Sequence, residues 1–131
     1  MEPLELNGEV AKFFDEFVIA FQSFQGGEIA RRYVTPYVAL QRDGSLASFG
    51  SQAEVVDYFQ TVVSAYHDEG CRSCRYRDLV VVPLGRQSAL ATVTWDLFSK
   101  DGAVVISWRE SYNLCRVDGR FRIFASVDHV A

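Results

Sequence analysis

The sequence is poor in the features that mark several large classes of protein. Its three cysteines are an odd number, which argues against a disulfide framework and fits a reducing compartment. No apolar run approaches the roughly 20 residues of a membrane span. The acidic first segment, MEPLELNGEV, also lacks the layout of a signal peptide. We therefore expect a cytoplasmic protein with no membrane partner.

Basic charge and nucleotide motifs are also scarce. Thirteen Lys and Arg residues against seventeen Asp and Glu residues give a net charge of −4. A mildly acidic chain without a basic patch is a poor partner for nucleic acid. The G-x-S-x-G, P-loop and dinucleotide motifs are absent from the sequence, so covalent and nucleotide chemistry have no support. We accordingly expect no cofactor.

The residues that are abundant predict one domain covering residues 1–131. Apolar residues make up 49% of the chain and aromatic residues 14%, with ten Phe and six Tyr. A chain of 131 residues can bury a sizeable core without disulfides or a metal. We therefore predict a globular domain with many aromatic contacts.

The first part of the chain has the spacing of a helix pair. Apolar side chains between Val10 and Phe24 recur at i, i+3, i+4 and i+7, which predicts an amphipathic helix. Gly26 and Gly27 are expected to end that helix, because glycine adopts the left-handed conformation of a helix C-terminus. A short second helix is predicted at roughly 28–34.

A hairpin and a third helix follow. The Asp43-Gly44 pair predicts a turn between two short strands. Ser51, with Glu54 three residues later, forms a capping box and predicts the start of a helix. Gly70 is expected to end it. The apolar period then changes from helical to alternating.

The rest of the chain predicts an antiparallel meander. Four strands are expected, at roughly 74–84, 87–98, 103–117 and 120–129. The Asp101-Gly102 and Asp118-Gly119 pairs predict the turns of two hairpins. Helices followed by a meander indicate the α+β class, with helices packed on one face of a curved sheet.

The two Asp-Gly turns also predict the register of the strands. If each is a two-residue loop, Trp95 faces Trp108 and Leu114 faces Ile123. Glu110 is then the one acid on an otherwise apolar face. A buried, unpaired carboxylate is costly, so Glu110 must pair, take up a proton or contact water. The apolar members of this face are Ala89, Ala91, Val93, Trp95, Leu97, Ile106, Trp108, Tyr112, Leu114, Phe121, Ile123, Ala125 and Val127.

The element order and two segments resemble a known superfamily. A helix pair, a hairpin, a third helix and a four-strand antiparallel sheet resemble the nuclear transport factor 2-like superfamily. This superfamily includes the SnoaL-like polyketide cyclases and the ketosteroid isomerases. FFDEFVIAFQSFQGGEIARRYV is similar to the helix pair, and CRVDGRFRIFASVDHV is similar to the closing hairpin. The resemblance covers almost the whole chain.

The resemblance implies a cone-shaped, cystatin-like sheet whose concave face and three helices enclose a pocket. Members bind or transform small, often apolar molecules, and many form homodimers through the outer face of the sheet. A small apolar ligand and a homodimer are therefore the partners that the resemblance implies. Because one fold hosts many functions, the site must be argued from its own residues.

Steroid isomerase activity is not expected. The ketosteroid isomerases use an aspartate base, with a tyrosine and a protonated aspartate as hydrogen-bond donors. Aligned through the first two helices, Phe17 stands at the tyrosine position and Gln41 at the position of the base. Neither side chain can perform that chemistry, and both are expected to line the pocket instead.

Glu110 and His129 are the candidate catalytic residues. Desolvation among Trp95, Trp108 and Tyr112 would raise the pKa of the Glu110 carboxyl toward the range of a general acid or base. The alternative is a structural carboxylate bonded to a tyrosine or an arginine. His129 shares that face if the last strand is regular, and many SnoaL-like proteins carry a histidine there. The alternative is a frayed residue near the terminus.

A ligand pocket lined mainly by aromatic side chains is predicted around Glu110. Ligand pockets are mostly apolar with a few polar groups, and tyrosine provides both. Ordinary core packing is the alternative for any single tyrosine. The predicted lining residues are Phe17, Tyr33, Gln41, Tyr58, Trp95, Trp108 and Tyr112.

His67, Cys71 and Cys74 have a spacing that could supply three metal ligands or a redox pair. A structural zinc site needs four ligands, and the chain offers no second cysteine pair. An isolated C-x-x-C outside a thioredoxin-like context is a weak signal. We therefore predict no metal site here.

Two hypotheses about function follow. The first is a pocket that binds a small apolar molecule, with cofactor-free acid–base chemistry of the isomerase, cyclase or hydrolase type. The second is a non-enzymatic module of the same fold that binds or associates through its pocket or its outer sheet face. A buried Glu110 that lines a cavity beside a second titratable group would favour the first.

Overall fold

The computed structural model describes residues 3–130, which form three helices and one six-stranded sheet. The helices are α1 (Pro3–Gln22), α2 (Gly26–Ala30) and α3 (Gln52–Asp68). The strands are β1 (Tyr33–Leu40), β2 (Leu46–Phe49), β3 (Cys71–Leu84), β4 (Ser88–Ser99), β5 (Val104–Val117) and β6 (Arg120–Asp128). Within residues 3–130, no helix combines the length and apolarity of a membrane span.

The α+β prediction is confirmed, with helices packed against a curled mixed sheet. The strand order is β2-β1-β6-β5-β4-β3. Neighbouring strands are antiparallel except β1 and β6, which pair in parallel. Phe14 and Phe17 of α1 pack against Trp95 and Tyr112, which fastens the helix to the middle of the sheet.

The predicted register of the β4–β5 hairpin is confirmed along most of its length. Trp95 pairs with Trp108, and Val93 pairs with Glu110. The prediction of a two-residue loop is wrong, because the Ser99 N–H donates to the Ala103 carbonyl at 2.8 Å. The loop therefore has one residue more. An irregularity between Leu97 and Phe98 absorbs that residue and restores the predicted pairing.

The predicted register of β6 holds only for its first half. Leu114 pairs with Ile123 as predicted, but the register shifts between Asn113 and Leu114. Beyond this β-bulge, Tyr112 pairs with Ser126 and Glu110 pairs with Asp128. Ser126 and Asp128 therefore share the helix-facing side, whereas the prediction had placed Ala125 and Val127 there.

The helix boundaries depend on one unexpected residue. Helix α1 ends at Gln22, and Phe24 rather than a glycine has the positive φ, of 53°. Gly26 instead begins α2, where a Cβ would lie 2.5 Å from the backbone N of Gln60 on α3. The predicted capping box at Ser51 and Glu54 is confirmed, with both hydrogen bonds present.

Candidate functional site

A cavity with a volume of ≈ 90 Å³ lies between the concave face of the sheet and helices α1 and α3. Its wall is mostly aromatic and apolar, with a small group of polar side chains. All seven side chains predicted to line a ligand pocket stand in this wall. The aromatic members are Phe17, Phe21, Tyr33, Tyr37, Tyr58, Phe59, Tyr66, Trp95, Trp108 and Tyr112. The polar members besides tyrosine are Gln41, Glu110, Ser126 and Asp128.

Glu110 is buried in this wall. Its carboxyl oxygen Oε1 accepts a hydrogen bond from the Trp108 indole N–H at 2.9 Å. Burial, followed by the negative charge of Asp128, raises the pKa of the Glu110 carboxyl from its ordinary value of 4.5 to about 8. At neutral pH, Glu110 is therefore a protonated acid that can donate a hydrogen bond or a proton.

Asp128 is the second carboxyl group of the cavity, and it was not predicted from the sequence. It lies directly opposite Glu110 on the neighbouring strand β6, and its negative charge acts on the Glu110 carboxyl. Strand β6 brings it inward because the bulge shifts the alternation by one residue. A turn signal fixes only the register next to the turn, so no sequence feature marked this shift.

The prediction that His129 points into the pocket is wrong. His129 lies outside the cavity wall, and its ring Nε2 is 2.8 Å from the Ser111 hydroxyl oxygen. Ser111 neighbours Glu110 in the chain and therefore faces the opposite side of the sheet. The same bulge that brings Asp128 inward turns His129 outward.

Tyrosine hydroxyls complete the polar part of the cavity. The Tyr37 and Ser126 hydroxyl oxygens are 2.7 Å apart, and the Trp95 indole N–H donates to the Tyr112 hydroxyl at 2.7 Å. Burial, together with the charge of Glu110, raises the pKa of Tyr37 and Tyr112. These hydroxyls therefore stay neutral and can donate hydrogen bonds to a ligand oxygen.

Polar groups also lie beside the aromatic rings at one side of the cavity. The Gln41 amide donates to the Tyr58 hydroxyl at 3.2 Å. The Arg42 guanidinium lies 4.8 Å from the centre of the Trp108 ring, and Tyr66 stacks on that ring at 5.9 Å. Gln41, which the sequence predicted at the position of the isomerase base, thus holds a tyrosine and offers no group that takes up a proton.

The His67, Cys71 and Cys74 segment lies apart from this cavity. Both cysteines are buried, and the His67 ring packs edge-on against Phe24 with centroids 5.0 Å apart. Across residues 3–130, no three His, Cys, Asp or Glu side chains are grouped so that they could hold a metal ion. Burial raises the pKa of the Cys74 thiol to about 12, which keeps it protonated and unreactive.

The chain is similar to one protein family in sequence and to many solved structures in fold. A family model described as NTF2-like protein (DUF6841) matches residues 8–131. No curated protein matches the chain. Many solved structures share the fold, and three are representative.

The similar structures come from different bacteria and share little sequence with this chain. Aln2 from a Streptomyces species has a TM-score of 0.79 and 17% identity, covering 99% of this chain and 93% of that one. An NTF2-like protein with a cystatin-like fold from Novosphingobium aromaticivorans has a TM-score of 0.76 and 14% identity, covering 97% and 82%. A candidate calcium/calmodulin dependent protein kinase II association domain from Xanthomonas campestris has a TM-score of 0.70 and 20% identity. The match covers 94% of this chain and 86% of that one. At these identities the likeness shows the fold alone.

Proposed function

The chain belongs to the NTF2-like family DUF6841, and from that premise we propose that its cavity binds a small apolar molecule and exchanges protons with it without a cofactor. The observation that carries this proposal is the carboxyl pair. Glu110 is buried with a raised pKa, and it lies opposite Asp128 in the wall of an aromatic cavity. Two carboxyl groups at one site are forced into different protonation states, which provides one acid and one base.

The proposed roles follow from the difference between the two carboxyl groups. In the proposed reaction, Asp128 takes a proton from the substrate as the general base. Protonated Glu110 and the neutral Tyr37 hydroxyl donate hydrogen bonds to the oxygen on which negative charge develops. The reaction class is proton transfer next to a carbonyl group, which isomerisation and cyclisation share.

The size of the cavity limits the substrate. A volume of ≈ 90 Å³ is far below the roughly 300 Å³ at which drug-sized ligand sites begin. The wall is built mainly of aromatic rings, which favour a flat apolar body over a chain of polar groups. We therefore propose a substrate of about one ring that carries one carbonyl oxygen. The three free cysteines fit a reducing, cytoplasmic setting for it.

Acetophenone provides a direct test, because it has one ring and an exchangeable methyl group next to its carbonyl. The chain has two tryptophans, Trp95 and Trp108, and both line the cavity, so saturable quenching of tryptophan fluorescence reports binding. In D₂O, loss of the methyl proton signal in NMR spectra reports proton exchange. We expect saturable quenching. We also expect the methyl protons to exchange faster than in a protein-free buffer that contains acetate at the concentration of the protein.

Variants separate binding from proton transfer. Asp128→Asn is expected to reduce exchange by about a hundredfold or more, the scale of a lost general base, while quenching remains. Glu110→Gln is expected to reduce exchange less, because its amide still donates. Asp57→Asn is the matched control, since Asp57 is exposed on α3 outside the cavity, and it should behave like the unmodified chain. Exchange that is unchanged in Asp128→Asn would refute the proposed chemistry.

A second candidate function is association through the outer face of the sheet. That face exposes apolar side chains such as Val80, Val82 and Val127, and no described element covers them. One structure of this fold, from Xanthomonas campestris, carries the name of an association domain. We propose that two copies of this chain pair through this face as a homodimer.

A further inference from the structure

A second cavity, distinct from the aromatic one, is lined by positive charge. It has a volume of ≈ 290 Å³ and lies between α1 and the start of β6. Its wall contains four cationic side chains and two carboxylates, which leaves a net positive charge in a protein whose overall charge is −4. The cationic side chains are Lys12, Arg32, Arg120 and Arg122. The carboxylates are those of Glu9 and Glu16.

The fold assembles this cluster from distant parts of the sequence. The Ile123 N–H donates to the Arg32 carbonyl at 2.8 Å where β1 pairs in parallel with β6. That pairing places Arg32 beside the strand that carries Arg120 and Arg122. The sequence showed no basic patch because Arg32 lies about ninety residues before Arg120 and Arg122. The spacing of basic residues in the sequence therefore did not reveal the cluster of positive charge on the folded surface.

The two carboxylates of the cavity only partly offset the arginines. Glu9 is engaged by Arg116 at 2.7 Å, and Glu16 lies 3.6 Å from Arg32. Arg120 is exposed and forms no ion pair within residues 3–130. Two side-chain atoms of the cavity are buried and have no hydrogen-bond partner among the described residues: the Nε–H of Arg32 and Oε2 of Glu9. The Arg32 Nε–H is a donor that an anion could satisfy.

The arginines also repel one another. Burial, followed by the charges of Arg32, Arg120 and Arg31, lowers the pKa of the Arg122 guanidinium. Such crowding of like charges is unfavourable, and a bound anion would relieve it. The guanidinium group binds phosphate through two parallel hydrogen bonds, a geometry that lysine lacks.

We propose that the cavity formed by Arg32, Arg120, Arg122 and Lys12 binds the phosphate group of a small soluble molecule. Several cations around one cavity favour a compact anion with many oxygens and more than one charge. The cavity is recessed between a helix and a strand, so it fits a soluble phosphate ester better than a lipid headgroup held in a flat membrane. This site stands apart from the proposed proton-transfer cavity, and neither proposal depends on the other.

Pyrophosphate is the probe, and isothermal titration calorimetry at low salt is the measurement. We expect one saturable site whose affinity falls as the salt concentration rises, because the interaction is electrostatic. Arg122→Gln and Arg120→Gln are each expected to weaken binding by about tenfold or more, the scale of a lost partner in a close charge pair. Arg86→Gln is the matched control. Arg86 is exposed on the β3–β4 turn and lies outside the cavity, so this variant should bind like the unmodified chain.

The variants are chosen so that a folding defect cannot be mistaken for lost binding. Arg120 is exposed and forms no ion pair within the described residues, so Arg120→Gln should unfold at the same temperature as the unmodified chain. The proposal is overturned if pyrophosphate shows no saturable binding, or if Arg86→Gln weakens binding as much as Arg120→Gln. Citrate that binds as tightly as pyrophosphate would overturn the assignment to phosphate. If the protein bound phosphatidylglycerol vesicles but not pyrophosphate, the proposal that the ligand is soluble would be overturned.

Discussion

Glu110 illustrates how the surroundings of a single side chain determine its chemistry. In water its carboxyl would be ionised at neutral pH, but burial against aromatic rings and the charge of Asp128 favour the protonated form. The Trp108 indole N–H at 2.9 Å works in the opposite direction, because it stabilises the ionised form. The raised pKa shows that desolvation and repulsion outweigh this hydrogen bond.

The raised pKa of Glu110 predicts a loss of stability with increasing pH. The folded state holds a proton up to a pKa of about 8, whereas the unfolded chain releases it near the ordinary value of 4.5. The contribution of Glu110 is fully present below pH 4.5 and is lost as the pH rises through about 8. We expect the free energy of unfolding to fall over this window by an amount on the order of a few kcal/mol. Urea denaturation at a series of pH values measures it.

Glu110→Gln is the control for this linkage. The amide keeps an acceptor for the Trp108 N–H and a donor toward Asp128, but it does not titrate in this range. Its free energy of unfolding should therefore depend less on pH than that of the unmodified chain. Identical slopes for the two proteins would contradict the assignment of the linkage to Glu110.

The two carboxyl groups differ in how far the sequence could predict them. Glu110 stood out because it interrupts an apolar face in a strand whose register two turns define. Asp128 and His129 are adjacent, so a shift of one residue decides which of them faces the cavity. The bulge in β6 determines that choice, and bulges leave little trace in the apolar alternation of a short strand.

At the level of elements, the sequence predicted local features correctly but did not predict close contacts between elements. The capping box of α3 depends on residues three positions apart, so the sequence alone identifies it. The role of Gly26 depends on α3, some thirty residues later. The sequence predicted Gly26 as a helix end, but in the structure it allows α2 to contact α3.

Gly26→Ala is expected to destabilise the fold. Its Cβ would lie 2.5 Å from both the Gln60 backbone N and the Val56 carbonyl oxygen, so helices α2 and α3 would have to move apart. Overpacking of this kind costs about 1–3 kcal/mol. Thermal or urea denaturation measures the loss. Gly27→Ala is the matched control, because a Cβ there meets nothing within 4 Å. Equal stability of the two variants would mean that the helices are not in close contact at Gly26.

At the level of the whole molecule, the decisive contact joins distant parts of the chain. The parallel pairing of β1 with β6 extends the antiparallel meander into a six-stranded sheet. It brings Tyr33 and Tyr37 into the wall that holds Asp128, and it brings Arg32 beside Arg122. Parallel pairing needs no turn between the strands, so no turn signal in the sequence could reveal it. Both cavities therefore depend on the pairing of β1 with β6. The superfamily resemblance implied the overall shape of the sheet but not this contact.

The outer face of the sheet exposes apolar side chains through which two molecules could associate. Val127, Ser111, Thr92 and Val80 form one row across four strands, directly behind the layer that contains Glu110. A second row follows on the same face, in the order Val38, Ala125, Asn113, Leu90 and Val82. The valines at the ends of these rows are between 37% and 51% exposed. Such a broad, partly apolar face favours pairing with a second copy of itself.

We therefore expect the chain to elute as a homodimer, with its mass measured by light scattering during size-exclusion chromatography. Val80→Lys and Val82→Lys should each shift it toward the monomer at micromolar concentration, because two copies of the same charge would meet across a symmetric interface. Leu46→Lys is the matched control, since Leu46 is 71% exposed on the edge strand β2 and lies outside both rows. A monomer at all concentrations would exclude the homodimer. If only the Leu46→Lys protein dissociated, the interface would instead lie at the β2 edge.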